Sequence, residues 1–157
     1  LPGKQAGKFL VLDTAVERTL YYDFLPLVIP LDDGYKVRFH LYTVPGQSYY
    51  EASRKLVLKG VDGLVFVADS HPERRQDNRD SLAMLKKDLA DVGIAYGSVP
   101  IVMQYNKRDL PNPIPRADLD ADLNDTGATT FDAVARDGLG VFETLAAIAD
   151  RITNGEG

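Results

Sequence analysis

The chain has 157 residues, of which 45% are hydrophobic and 26% charged, a composition that fits one globular domain with a single core. Its net charge of -5 shows none of the lysine and arginine surplus typical of proteins that bind nucleic acid or anionic membranes. The absence of cysteine excludes disulfides and thiolate metal sites, and no apolar run is long enough to span a bilayer. We therefore expect a cytoplasmic protein with one domain over residues 1–157.

The first elements that the sequence predicts are two strands, YYDFLPLVIP over residues 21–30 and YKVRFHLYTV over residues 35–44. The turn signal Asp32-Asp33-Gly34 lies between them and predicts an antiparallel hairpin. Polar and apolar residues alternate from Lys36 to Tyr42, which indicates one exposed face and one buried face. A helix is predicted next, over about residues 48–58.

The remainder of the chain alternates apolar strands with helices. The run GLVFVAD, residues 63–69, is apolar without alternation, which is typical of a strand covered on both faces. Ser70-His71-Pro72-Glu73 has the form of a capping box that opens a helix ending near residue 91. Two further strands and a last helix are predicted over residues 99–105, 128–134 and 141–152. This order predicts a three-layer α/β fold with a mostly parallel sheet and one antiparallel hairpin.

Asn106-Lys107-Arg108-Asp109 directly follows the predicted strand 99–105, at the end of a strand where parallel sheets bind ligands. A carboxylate such as Asp109 can accept two parallel hydrogen bonds from a ring N–H and an adjacent exocyclic amine, which describes guanine and excludes adenine. Lys107 can lay its methylene stem along the base or ribose, and Asn106 can tie neighbouring loops together. The alternative interpretation is a polar loop that merely closes a strand.

Three other stretches carry candidate site residues. Gly46 would let the backbone approach a terminal phosphate, and Gln47 after it can orient an attacking water. Arg18 can stabilise charge on a transferring phosphoryl group, and Thr19 can place its hydroxyl on Mg²⁺. The backbone N–H of Ala135 could meet a guanine carbonyl oxygen. Each signal is weak alone, because a Pro-Gly pair is usually a turn and a surface arginine is usually solvated.

In this order the stretches resemble those of the bacterial MglA-type small Ras-like GTPases, the polarity and gliding-motility switches, over essentially the whole chain. The resemblance is carried by RTLYYDFLPL, RFHLYTVPGQ, YYEASRKLVLKGVDGLVFVADS, VMQYNKRDLPN and GLGVFETL. It implies a Ras-like P-loop GTPase fold that binds GTP and GDP, hydrolyses GTP, and uses Mg²⁺ as cofactor. It also implies a roadblock-fold partner of the MglB type that promotes hydrolysis, downstream effectors, and recruitment to a cell pole through partners.

Carried over by position, the resemblance makes Arg18 a built-in arginine finger, Thr19 the switch threonine and magnesium ligand, and Gly46 the γ-phosphate amide. Gln47 matches the catalytic glutamine. Thr43 stands where most Ras-like proteins have an aspartate that helps to hold the magnesium shell. MglA-type proteins share this departure, so it supports the assignment to that branch.

The opening residues LPGKQAGK are not expected to form a phosphate-binding loop. The spacing from Gly3 to Gly7-Lys8 is one residue short, Phe9 replaces the needed Ser or Thr, and no strand precedes them. In the family, the first strand, the phosphate loop and the first helix lie before the point where this chain starts. Because the residues expected to act in catalysis are present, we expect a sequence truncated at its N-terminus.

The alternative function is a nucleotide-free pseudo-GTPase, a scaffold that binds protein partners through the same surface. A phosphoacceptor receiver domain is disfavoured, because no paired acidic residues end an early strand.

Overall fold

The structure is a computed structural model that describes residues 24–30, 34–43 and 51–154. Within these ranges the chain forms an antiparallel hairpin followed by alternating helices and parallel strands. In chain order the elements are β1 (Phe24–Pro30), β2 (Lys36–Tyr42), α1 (Glu51–Leu58), β3 (Leu64–Asp69), α2 (Arg75–Asp91), β4 (Ile101–Asn106), α3 (Arg116–Leu123), β5 (Thr130–Asp132) and α4 (Val141–Thr153).

The hairpin forms as predicted, with Phe24 opposite Tyr42 and Pro30 opposite Lys36. Alternation along β2 leaves its even-numbered residues exposed and its odd-numbered residues partly buried. On the apolar face Leu27 is buried, and it belongs to one cluster with the fully buried Val141 at the start of α4. Burial of that face holds the hairpin against the loop and helix that follow β5.

β3, β4 and β5 form a parallel sheet in that order. The register places Leu64 beside Ile101 and Asp69 beside Asn106, so β3 and β4 end together at one edge of the sheet. Within the described ranges, the hairpin is a separate two-stranded sheet and is not hydrogen-bonded to β3. The edge where β3 and β4 end is the place at which parallel sheets bind ligands.

Helices cover both faces of the parallel sheet, which confirms the predicted α/β layers. One face packs on α1, α2 and α3, in a core of Leu58, Leu64, Phe66, Ala68, Leu82, Leu89, Ile101, Met103, Tyr105, Ile114, Leu119 and Leu123. The other face packs on α4, where the buried amide of Gln104 donates to Thr144 Oγ1 at 2.8 Å. Over the described residues, no helix combines the length and the apolar character needed to cross a membrane.

Three local features differ from the sequence predictions. Helix α3 was not predicted, because only Leu119 and Leu123 mark its buried face in a short acidic segment. The strand predicted over residues 128–134 is three residues long in the structure. Ser70 is not the helix cap, since the side chain of His71 accepts from Glu73 N at 3.2 Å and caps a short 3₁₀ turn before α2.

Candidate functional site

The candidate site lies at the edge of the sheet where β3 and β4 end. The backbone N–H of Ser70, just after β3, donates to Asn106 O at the end of β4 at 3.1 Å. This hydrogen bond continues the ladder beyond the last strand pair and holds the two following loops side by side. The Asn106-Lys107-Arg108-Asp109 motif, which contains three of the expected site residues, begins at this point.

Asn106 connects the loop after β4 to the loop after β5. Its Oδ1 accepts from the backbone N–H of Ala135 at 2.8 Å, and both groups are partly buried. The two residues that the sequence places 29 positions apart are therefore in direct contact. Because Ala135 has one N–H, donation to a guanine carbonyl requires this hydrogen bond to be shared or exchanged.

Lys107 adopts a left-handed backbone conformation, with φ of 66°. This conformation costs a residue other than glycine about 1–2 kcal/mol, and such strain is concentrated at functional sites. The side chain reaches across to β3, where Nζ donates to Asp69 Oδ2 at 3.0 Å. Asp69 is fixed in turn by Asn78, which exchanges two hydrogen bonds with its backbone at 3.0 and 2.9 Å. The side chain of Lys107 therefore runs from the loop after β4 to the end of β3.

Arg108 holds the motif in place by hydrogen bonds to neighbouring segments, a role that the sequence does not predict. Its backbone N–H donates to Ala133 O at 3.1 Å, and its Nη1 donates to Ser70 Oγ at 3.1 Å and Ile114 O at 2.6 Å. Through its backbone and its side chain, this one residue connects the ends of β3, β4 and β5. Nothing in the local pattern singles out the third residue of the motif, because these partners come from three separate segments.

Asp109 is the only residue of the four-residue motif that is exposed as a whole. Its Oδ2 accepts from Arg136 Nη2 at 2.6 Å, and the side chains are 34% and 76% exposed. A guanidinium presents several N–H groups in one plane, which is also how guanine presents its ring N–H and amine. The carboxylate is therefore placed where a planar donor can approach it from solvent.

The loop after β5 is held in place by close backbone packing. Gly140 has φ of 80°, and a Cβ at this position would clash with the backbone oxygen of Asp132. Thr144 Oγ1 donates to Gly140 O at 2.6 Å and accepts from Gln104, so the loop is tied to the middle strand. Paired backbone bonds between Val134 and Leu139 close the turn that carries Ala135.

The structure brings together the base-side half of the expected site: Asn106, Lys107, Asp109 and Ala135. The expected phosphate-side residues, Arg18, Thr19, Gly46 and Gln47, lie outside the described residues, as do Gly3 to Phe9. Thr43 is described at the end of β2, where it is partly buried.

The chain is similar to known proteins over most of its length, although no protein-family model matches it. It is 52% identical to the "Mutual gliding-motility protein MglA" of Myxococcus xanthus (strain DK1622) over 143 residues, which are 91% of this chain and 73% of that protein. It is 30% identical to the "ADP-ribosylation factor-like protein 4D" of Mus musculus over 120 residues, which are 72% of this chain and 57% of that protein.

Proposed function

Because this chain belongs to the small Ras-like GTPases, in their MglA-type branch, we propose that it binds guanine nucleotides and acts as a switch set by hydrolysis of GTP to GDP. The observation that carries the proposal is the meeting of Asn106, Lys107, Asp109 and Ala135 at the edge of the sheet. These residues come from two loops, and their contacts support a base-binding site at this edge.

Base selection would depend on Asp109. Its carboxylate would accept from the ring N–H and the exocyclic amine of guanine, two charge-assisted hydrogen bonds that adenine cannot supply. The Lys107 stem, extended toward Asp69, would lie along the base or ribose. Arg108 does not touch the nucleotide in this proposal. It holds the loop through Ser70 Oγ and Ile114 O.

Hydrolysis would use residues outside the described ranges, with roles that rest on the family resemblance. Gln47 would orient the attacking water, and Arg18 would stabilise the charge that develops on the transferring phosphoryl group. The backbone N–H of Gly46 would donate to the γ-phosphate. The hydroxyl of Thr19 would hold Mg²⁺, which neutralises phosphate charge when it is bound.

The relative's name links that protein to gliding motility, and we extend this role to the present chain. The partner would be a roadblock-fold protein of the MglB type that accelerates hydrolysis, with polarity or motility effectors downstream. The protein would work in the cytoplasm and reach a cell pole through such partners.

Nucleotide binding and single-turnover phosphate release, measured on the full-length protein, test the proposal. We expect GDP and GTP to bind orders of magnitude more tightly than ADP and ATP, because an adenine edge leaves Asp109 without its donors. GTP should be cleaved slowly alone and faster with the roadblock-fold partner. A protein that binds this partner but neither guanine nucleotide would instead be a nucleotide-free scaffold, and the proposal would be wrong.

A further inference from the structure

Helix α1 is held to the rest of the protein by two buried side chains. It has eight residues, Glu51–Leu58, and a helix of this length is not stable by itself in water. Arg54 and Leu58 are its buried residues. Leu58 joins the main apolar core, whereas Arg54 carries a charge into the interface with α2.

The charge of Arg54 is compensated by Asp88 of α2. Arg54 Nε donates to Asp88 Oδ2 at 2.6 Å, and the two side chains are 6% and 1% exposed. Removing Arg54 would leave the buried charge of Asp88 without this compensation, which strongly disfavours the packed arrangement. The other oxygen, Asp88 Oδ1, is buried and accepts no hydrogen bond from the described residues. The carboxylate therefore depends on Arg54 and on the position of α1.

The pair lies beside an exposed network of ions. Lys55 contacts Glu51 at 2.6 Å and Asp91 at 2.9 Å, and Lys87 contacts the same two carboxylates at 3.4 and 2.9 Å. Ligand oxygens of Glu51, Asp88 and Asp91 lie within 4.8 Å of one another, a spacing that would suit a metal ion. The two ammonium groups already neutralise Glu51 and Asp91, so we interpret the cluster as a connection between helices and not as a metal site. Exposed pairs of this type stabilise little.

We infer that Arg54 and Asp88 are a positioning pair for GTP hydrolysis, because they fix α1 on α2 and thereby the end of the segment that carries Gln47. Gln47 precedes Glu51 by four positions, and four residues reach at most about 14 Å. A shift of α1 would therefore move the anchor of the expected catalytic glutamine. This inference rests on the proposed function and assigns neither residue a contact with the nucleotide.

Single-turnover hydrolysis per bound GTP, measured on Arg54→Met and Asp88→Asn variants of the full-length protein, tests the inference. Asp88→Asn keeps the shape of the side chain and one acceptor oxygen. It therefore provides a test even if Arg54→Met fails to fold. Displacement of a catalytic group by about 1 Å can cost roughly a hundredfold in rate. We expect a loss of tenfold or more in both variants, with affinity for GDP changed less than about twofold.

Arg79→Met is the matched control, because it removes an arginine of α2 that pairs with Asp122 of α3. This control should hydrolyse GTP at the parent rate. Arg54→Lys should recover part of the rate, since an ammonium can still donate to Asp88. Rates per bound nucleotide within twofold of the parent in both Arg54→Met and Asp88→Asn would overturn the positioning role.

Amide hydrogen exchange separates this inference from the proposed function. Loss of the pair should accelerate exchange in residues 51–58 of Asp88→Asn and leave the exchange of α4 unchanged. If the parent protein binds GTP without cleaving it, the proposed hydrolysis is wrong, and the exchange data still show whether the pair holds α1. Unchanged exchange in α1 would show that it does not.

Discussion

Arg136 donates to Asp109 across 2.6 Å, so the carboxylate expected to bind guanine is paired with a guanidinium. The pair is exposed, and it contributes little to stability because solvent screens it. Its significance is chemical, since Asp109 is placed where it accepts from a planar group with several N–H donors.

The first prediction concerns Asp109→Asn. The substitution replaces a charged acceptor with an amide, and we expect it to weaken GTP and GDP binding by about 1.5–3 kcal/mol, roughly tenfold to 150-fold. Preference should shift toward xanthine nucleotides, which carry a carbonyl where guanine has its amine. Titration calorimetry on the full-length protein measures both effects.

Asp137→Asn is the control for this prediction, because Asp137 is an exposed neighbour that contacts Arg136 at 3.8 Å. It should leave nucleotide affinity unchanged. Equal GTP affinity for Asp109→Asn and the parent would rule out Asp109 as the guanine-binding carboxylate.

The second prediction concerns Gln47 and Arg18. Gln47→Ala should slow GTP hydrolysis because the attacking water loses its orienting group, and Arg18→Ala should slow it by roughly 10³ to 10⁵ because transition-state charge is no longer stabilised. Nucleotide affinity should change much less. Single-turnover assays with and without the roadblock-fold partner measure the rates, and a variant that keeps the parent rate with partner present contradicts the role of its residue.

The third prediction concerns two glycines in the loop after β5. Gly138 and Gly140 have φ of 79° and 80°, but a Cβ at Gly138 has no heavy atom within 4 Å, whereas one at Gly140 meets Asp132 O. Gly138→Ala should lower the free energy of unfolding by about 1–2 kcal/mol through backbone strain alone. Gly140→Ala should cost clearly more, because a backbone carbonyl must also move. Urea unfolding of both variants measures the two free energies of unfolding. Equal decreases would show that the contact with Asp132 O adds nothing to the backbone strain.

The fourth prediction concerns Asp122, which links α3 to α2. The guanidinium of Arg75, with that of Arg79, lowers the pKa of Asp122 to about 2 from an ordinary value of 3.8. Because the pKa of Asp122 is depressed in the folded state, its ion pairs stabilise the fold. This stabilisation is fully present above about pH 4 and is lost as the pH falls toward 2. The arginines are partly exposed, so we expect about 1 kcal/mol from these ion pairs at neutral pH.

Asp122→Asn should therefore lower the free energy of unfolding at pH 7 and flatten its decline between pH 4 and 2. Asp125→Asn provides a matched control, because Asp125 is exposed and forms an ion pair with Lys86 instead of with Arg75 or Arg79. Urea unfolding at several pH values measures the slope. A variant with the parent's slope would show that Asp122 is not the titrating group.

Much of the fold could be predicted because the strands carry strong local signals. β3 and β4 are apolar on both faces, and their observed bounds differ from the predicted ones by one or two residues. The hairpin was predicted from its turn residues and alternation. Helix α3 was missed since its burial comes from tertiary packing, and two leucines in eight residues give too weak a period.

The candidate site was predictable where its residues are adjacent in sequence or, as for Ala135, follow a predicted strand. Asn106, Lys107 and Asp109 form one short motif, so their common location follows from the end of β4. The contact of Lys107 with Asp69 depends on the register between two strands, and the contact of Arg54 with Asp88 joins residues 34 positions apart. Such pairings between distant residues produce no pattern in the local sequence, so they could not be predicted from it.

The register that aligns Asp69 with Asn106 also determines which length changes the protein can accommodate. Side chains along a strand alternate between faces, so inserting one residue within β4 would turn Gln104 and its neighbours to the opposite side. The same insertion in residues 92–100, between α2 and β4, leaves the alternation intact and adds little loop entropy. An insertion in that connection is therefore expected to be better tolerated than one within β4, and it lies at the amino end of β4, away from the loops that carry Asn106 and Ala135.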